Sequence, residues 1–100
     1  MGKEYRDKVI DSVIDRLRGI LGEVTVQALE VFMKMNGTSL YSIYDEPDKV
    51  INLLYILFKD SARFLEDEVV KEVCSRLKYE YNGKASLKDI INNIKDKQSH

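Results

Sequence analysis

The sequence predicts an all-α domain: a compact five-helix bundle around a central apolar helix at about 47–59, with one short extra helical turn near 39–44. Three observations carry this expectation. Turn-forming residues are scarce: Pro47 is the only proline, and glycine falls at 2, 19, 22, 37 and 83, too sparse for a many-turned β fold. Apolar residues recur at i, i+4 intervals along most of the chain, the period of an amphipathic helix. Finally, Val50–Phe58 read Val-Ile-Asn-Leu-Leu-Tyr-Ile-Leu-Phe, interrupted only by Asn52 and Tyr55. A segment apolar on nearly every side is expected to be covered on nearly every side, which places it at the centre.

The first helix is expected from about Lys3 to Leu21. Tyr5, Val9, Val13, Leu17 and Ile20 form its stripe, Ile10, Ile14 and Leu21 widen it, and Asp7, Asp11 and Asp15 lie on another face. Gly22 ends it, because glycine takes positive φ cheaply. A second helix follows from about Glu23 to Asn36. Val24, Ala28, Val31 and Met35 make one apolar row, and Leu29, Phe32 and Met33 another. The β-branched start Val24-Thr25-Val26 disfavours helix locally, and Asn36-Gly37 is the stop. Thr38 or Ser39 can cap a short helical turn through Tyr44, with Leu40 and Ile43 facing inward.

Asp45 or Glu46 then precedes Pro47, a favoured first helical residue, which opens a third helix to about Lys59. A buried strand is the rival reading of this run. The Asp-Glu-Pro lead-in and the row Val50, Leu54, Leu57 with Ile51 and Phe58 favour helix. Asp60 or Ser61 can cap a fourth helix, about Ala62 to Lys78. Its stripe is Leu65, Val69, Val73 and Leu77, flanked by Ala62, Val70 and Cys74, and Glu72 and Arg76 are spaced to pair. Residues 79–84 admit two readings: the frayed end of the fourth helix with Gly83 as stop, which is favoured, or an Asn-Gly hairpin with Tyr79 and Tyr81 on one face. Ser86 caps the fifth helix in a capping-box variant, Ser86-Leu87-Lys88-Asp89. Leu87, Ile90, Ile91 and Ile94 supply its apolar face, and the residues after Lys95 are expected to fray.

One hundred residues, 44% of them hydrophobic, suggest a single helical domain spanning 1–100. The 16 Lys+Arg and 17 Asp+Glu alternate along the chain and leave a formal net charge of −1, so charge gives no reason to invoke DNA, RNA or an anionic membrane. A lone cysteine, Cys74, rules out an internal disulfide and fits a reducing cytoplasm. The beginning Met-Gly-Lys-Glu-Tyr-Arg-Asp has no apolar core of a signal peptide, and Arg6 stands where a myristoylation signal wants Ser or Thr. The longest apolar run is far short of the ~20 residues that span a bilayer, so no membrane contact is expected.

The inventory for catalysis is poor. The one histidine, His100, is the last residue, which removes Ser-His and Cys-His nucleophile pairs and a tetrahedral zinc site within one chain. Gly19-Ile20-Leu21-Gly22 lacks the spacing and the Lys-Ser/Thr of a phosphate-binding loop. Cys74 reads as a small core residue. The row Asp7, Asp11, Asp15 reads as a solvated face balanced by Lys8, Arg16 and Arg18, and Glu66-Asp67-Glu68 complements the dipole of the fourth helix. The expectation is therefore no catalytic residue, no cofactor and no metal. The surplus is in tyrosine: six, against three Phe and no Trp. Tyr41, Tyr44, Tyr79 and Tyr81 fall at expected element ends. There a ring can cover the core with its hydroxyl wet, or form a partner surface.

Several of these features stand in a familiar order. Leu21-Gly22-Glu23 is followed by Gly37-Thr38-Ser39-Leu40-Tyr41-Ser42-Ile43-Tyr44-Asp45-Glu46-Pro47, then Leu57-Phe58, then Leu65-Glu66 and Val69-Val70-Lys71-Glu72. Across about residues 17–78 the chain resembles the archaeal Nitrosopumilus output domain family. That family has an early Leu-Gly-Glu, a Gly-x-Ser-Leu-x-x-Ile turn before an acidic-x-Pro, and a Phe-containing junction ahead of a helix with Leu-Glu. Lys59-Asp60-Ser61 departs from it, since the family often has Gly after the Phe. The resemblance implies an archaeal intracellular helical module, found alone or attached to sensory proteins, and it transfers no catalytic residue.

The expected function is a non-enzymatic helical protein-interaction or signalling-output module, cytoplasmic, acting on a protein partner or on another copy of itself. The alternative is a small DNA-binding transcriptional regulator that uses helix 62–78 and a 79–84 wing. In that case Arg63, Lys71, Arg76, Lys78 and Lys84 must line one surface. An enzyme working through a carboxylate-bound metal is the third reading.

Overall fold

The computed structural model describes residues 2–80 and 85–98. The chain forms five α-helices and one 3-10 turn: α1 (Gly2–Leu21), α2 (Glu23–Met35), the turn Leu40–Ser42, α3 (Pro47–Phe58), α4 (Ser61–Leu77) and α5 (Leu87–Gln98). The expected all-α class and the short turn before α3 are both observed.

The molecule is organised on α1 and α4. These two helices make the most extensive pairing in the fold, and α1 also touches α2, α5 and the 3-10 turn. The sequence explains the choice. At 20 residues α1 is the longest helix, about 30 Å from end to end. Its stripe is wide enough to bury Val9, Ile10, Val13, Ile14 and Leu17, together with Ser12, whose Oγ donates to the Lys8 carbonyl at 2.7 Å. On α4, Ala62, Leu65, Val69, Val70, Val73 and Cys74 are buried. Ion pairs flank the seam: Arg16 pairs with Glu68, and Arg76 Nη1 lies 3.0 Å from Asp15 Oδ2. Solvent screens such exposed pairs, so they contribute little, whereas burying one large aliphatic side chain contributes about 1.5–3 kcal/mol. The apolar seam therefore sets the pairing and the charges trim its edges.

The central position expected for residues 47–59 is corrected. α3 buries Pro47, Val50, Leu53 and Leu54 on one face only, with Ile51 and Phe58 half-buried. Ile56 is 63% exposed and Leu57 43%. The physical reason is spacing: Val50, Leu53 and Leu54 suffice to dock α3 on α4, α5 and the 3-10 turn, and the remaining apolar residues have no element beyond them. Apolarity on all sides sets how much a helix would gain from being covered. It does not supply the cover.

Local signals decide the connections. α1 and α2 are separated by one residue, Gly22, at φ 89°, ψ 160°, a conformation open to glycine alone. α2 ends in a Schellman arrangement: Gly37 N–H donates to the Lys34 carbonyl, Thr38 N–H to the Met33 carbonyl at 3.0 Å, and Gly37 has φ 79°. Of the two residues expected to cap the next turn, Ser39 does so, its Oγ accepting from Tyr41 N–H at 3.1 Å, while Thr38 is buried. Glu30 on α2 reinforces this end: one carboxylate oxygen accepts from Leu40 N–H at 2.7 Å, the other from Ser39 Oγ at 2.5 Å. Pro47 occupies the first turn of α3 as expected.

Other termini differ from expectation. Asp60 precedes α4 with helical φ and ψ and no side-chain cap, and Ser61 is already helical, so neither caps by its side chain. A tight backbone turn replaces the cap: Lys59 sits at φ 52°, ψ −123° and its carbonyl accepts from Ala62 N–H at 3.0 Å. α4 stops at Leu77, not towards Gly83, because Lys78 turns left-handed at φ 54° and Tyr79 N–H closes on the Cys74 carbonyl at 2.9 Å. The hairpin alternative spans residues 79–84, of which 81–84 lie outside the described residues. Ser86 Oγ accepts from Asp89 N–H at 3.2 Å, the expected cap of α5. That helix continues past Lys95 to Gln98, where Lys95 and Lys97 suit the negative end of the dipole.

Two backbone substitutions test this reading. A Cβ at Gly22 would meet nothing within 4 Å, so Gly22→Ala isolates the conformational cost and should lower stability by about 1–3 kcal/mol. Lys59→Gly should raise it by about 1 kcal/mol, because glycine relieves the same kind of strain. Urea unfolding measures both, and a neutral Gly22→Ala would contradict the one-residue hinge.

Candidate interaction surface

The sequence gives α2 two apolar rows, and a 13-residue helix on the side of a small bundle can bury only one. Val26, Leu29 and Met33 are buried, with Phe32 half-buried beside them. The other row faces away: Val24 is 79% exposed, Val31 58% and Met35 80%, and Ala28 is exposed between them. The positions 24, 28, 31 and 35 alternate steps of four and three, the spacing of a coiled-coil seam. On the flank towards the 3-10 turn stand Glu23, Gln27, Glu30 and Lys34. Glu23 is held by Arg18 Nε at 2.9 Å and by the Gln27 amide at 3.4 Å. A second apolar exposure lies on α3 and the first turns of α4, with Ile56, Leu57 and Phe64, the last 57% exposed.

The tyrosine candidates divide between the two roles open to them. Tyr41 is exposed. Of the two roles open to these rings, Tyr44 takes the first and covers the core: it is buried, with Lys95 Nζ 4.9 Å from its ring centroid. Tyr79 is half-buried, and Lys97 Nζ stands 4.7 Å from its ring centroid. Tyr81 lies outside the described residues. Tyr5, Leu77, Lys78, Tyr79, Glu80, Ile94 and Lys97 line an open cleft of about 780 Å³. Glu80 is the one carboxylate among these lining residues, so they offer no carboxylate pair for acid–base chemistry.

The basic residues proposed for a nucleic-acid face fall on or just after α4. Arg76 is engaged by Glu72 Oε2 at 2.7 Å and by Asp15 at 3.0 Å, and Lys71 by Glu68 at 3.2 Å. Arg63 and Lys78 are exposed, and Lys84 lies outside the described residues. The row Asp7, Asp11, Asp15 likewise pairs with cations, Asp7 with Arg6 and Asp15 with Arg18 and Arg76. Among the described residues no group of three or more His, Cys, Asp or Glu side chains is placed to hold a metal ion, and no helix is long and apolar enough to cross a membrane. Cys74 is buried, which pushes its thiol above the usual range and away from the reactive thiolate.

Carboxylates elsewhere act as braces. Glu66 on α4 joins three elements: Oε1 accepts from the Tyr55 hydroxyl of α3 at 2.5 Å, and Oε2 accepts from Leu87 N–H at the start of α5 at 2.9 Å. The Glu66 hydrogen bond, with partial burial, pushes the Tyr55 phenol up to about 12. Arg6 grips Asp45 through Nε at 3.2 Å and Nη2 at 2.7 Å and holds that carboxyl below its usual value. Arg16, then Lys71, do the same for Glu68.

The outward row of α2 and the patch at Ile56, Leu57 and Phe64 were not singled out as a surface by the sequence. The signal for the first was present, as a second apolar row of coiled-coil spacing in one short helix. Compared with known proteins, the chain matches no family model, no curated protein and no solved structure.

Two titrations follow. The folded-state pKa values of Asp45 and Glu68 are depressed, so their contribution is full above the unfolded carboxylate value near ~4 and is lost as pH falls through the folded values. The melting midpoint should drop in acid, and the double variant Asp45→Asn, Glu68→Gln should show a flatter acid limb; an unchanged limb would contradict the pairs. Tyr55 is shifted the other way: the Glu66 bond is intact below about pH 10 and is lost as pH rises through about 12. Tyrosinate absorbance should show one late-ionising phenol, which disappears in Tyr55→Phe.

Proposed function

We propose that the protein is a non-enzymatic helical interaction module whose docking surface is the outward face of α2. One observation carries this reading: Val24, Ala28, Val31 and Met35 hold an apolar coiled-coil seam in solvent, on the face of α2 opposite its buried row. Leaving that much apolar surface wet forgoes burial free energy on the order of 25 cal/mol per Å², and an amphipathic helix laid along the row recovers it. Tyr41, exposed at the turn that follows α2, suits the rim of such a surface. The signalling-output role implied by the family resemblance agrees with a domain that presents a helix face rather than a reactive pocket. The positive φ at Lys59 adds to that resemblance, since the family often places glycine after the corresponding Phe.

The test is comparative capture. Immobilised protein should retain a partner, whether another chain or a second copy, that Val31→Glu releases by at least about tenfold in affinity with its melting midpoint unchanged. Equal retention by both proteins, or none by either with the partner or second copy supplied at up to about 1 mM, would overturn the proposal.

A further inference from the structure

We infer that the occupant of the α2 face is a second copy of this chain, its α2 laid antiparallel to the first about a two-fold axis. This rests on the reading of α2 as the docking surface and adds the identity, direction and register of the partner.

The row is complementary to itself when reversed. A dyad midway between residues 29 and 30 sets Val24 opposite the partner's Met35 and Ala28 opposite the partner's Val31. The smallest residue of the row thus receives a branched one, and the spacing of four, three, four reads the same in both directions. Closed two-fold pairing of this kind uses one patch twice and leaves none over.

The charges select the direction. Glu23 and Lys34 lie on the same flank of α2, one residue before the first and last seam positions. In the antiparallel arrangement like flanks meet, so Glu23 of each copy reaches the partner's Lys34, and symmetry makes the contact twice. In the parallel arrangement this flank meets the opposite one, which carries Thr25, Phe32 and Asn36, and the charge match is lost. Arg18 holds Glu23 in place at 2.9 Å.

Size sets the strength. An α2 of 13 residues is about 20 Å long. One helix pair of that length buries less than the ~1,200 Å² of a standard stable interface, which puts the dimer in the weak, dissociating class. Monomer and dimer then exchange with concentration.

The experiment is sedimentation of the full chain from micromolar to about 1 mM, the range in which weak dimers form. The dimer fraction should rise with concentration. Glu23→Lys and Lys34→Glu should each weaken it on the order of tenfold, from two symmetric pairs turned to repulsion, and the double charge swap should restore it. Direction is read by cross-linking in a Cys74→Ala background. Val24→Cys with Met35→Cys should form interchain disulfides on mild oxidation. Val24→Cys alone should not, because the antiparallel register holds the two copies of that site about 16 Å apart. A strict monomer at about 1 mM, or linking by Val24→Cys alone, overturns the inference. If the monomer still captures another protein through Val31, only the self-pairing falls; if that capture is absent too, the docking role of α2 falls with it.

Discussion

The close pairing of α1 with α4 is the constraint on which the rest depends. It takes the two longest helices, buries Val9, Val13 and Leu17 on one and Leu65, Val69 and Val73 on the other, and is edged by Arg16–Glu68 and Arg76–Asp15. Every other element is placed by what that pair leaves uncovered. α2 folds back on α1 through the single residue Gly22, and α3 and α5 dock on α4. A chain of this length has enough apolar side chains for one core of this kind and not for a second layer over α2 and α3. Exposed apolar rows on those two helices are the result.

Carboxylates do much of the joining that loops do in larger proteins. Glu30 closes the 3-10 turn from α2, Glu66 closes α5 from α4 while receiving Tyr55 from α3, and Asp45 holds the approach to α3 against Arg6 on α1. Each meets donors that a helix end or a cation must otherwise give to water. Many of the 17 acidic groups are thus committed one by one to structural partners, and among the described residues no group of three or more His, Cys, Asp or Glu side chains is placed to hold a metal ion.

What was legible in the sequence was local. Gly22, Gly37, Ser39, Pro47 and Ser86 act where short-range rules place them, and the buried stripes of α1, α4 and α5 follow their periodicity. What was not legible required knowledge of neighbours. Lys59 and Lys78 carry positive φ although lysine gives no turn signal. Glu30 and Glu66 cap termini distant from themselves in sequence. For Tyr44 the sequence left core cover and partner surface both open, and the structure buries it with Lys95 of α5 over its ring. Between the two rows of α2 the pattern alone had no preference, and for α3 it registered apolarity without registering that the core was already full. The candidate surface sits where the sequence offered more apolar residues than the fold can cover.

Native-state hydrogen exchange tests the central claim most directly. If the α1–α4 seam is the spine, amides of Val9–Leu17 and Leu65–Val73 should exchange slowest, at the free energy of global unfolding, while α3 opens by smaller sub-global steps. Slowest exchange in α3, with α1 or α4 opening before it, would contradict the claim and return the apolar run Val50–Phe58 to the centre of the molecule.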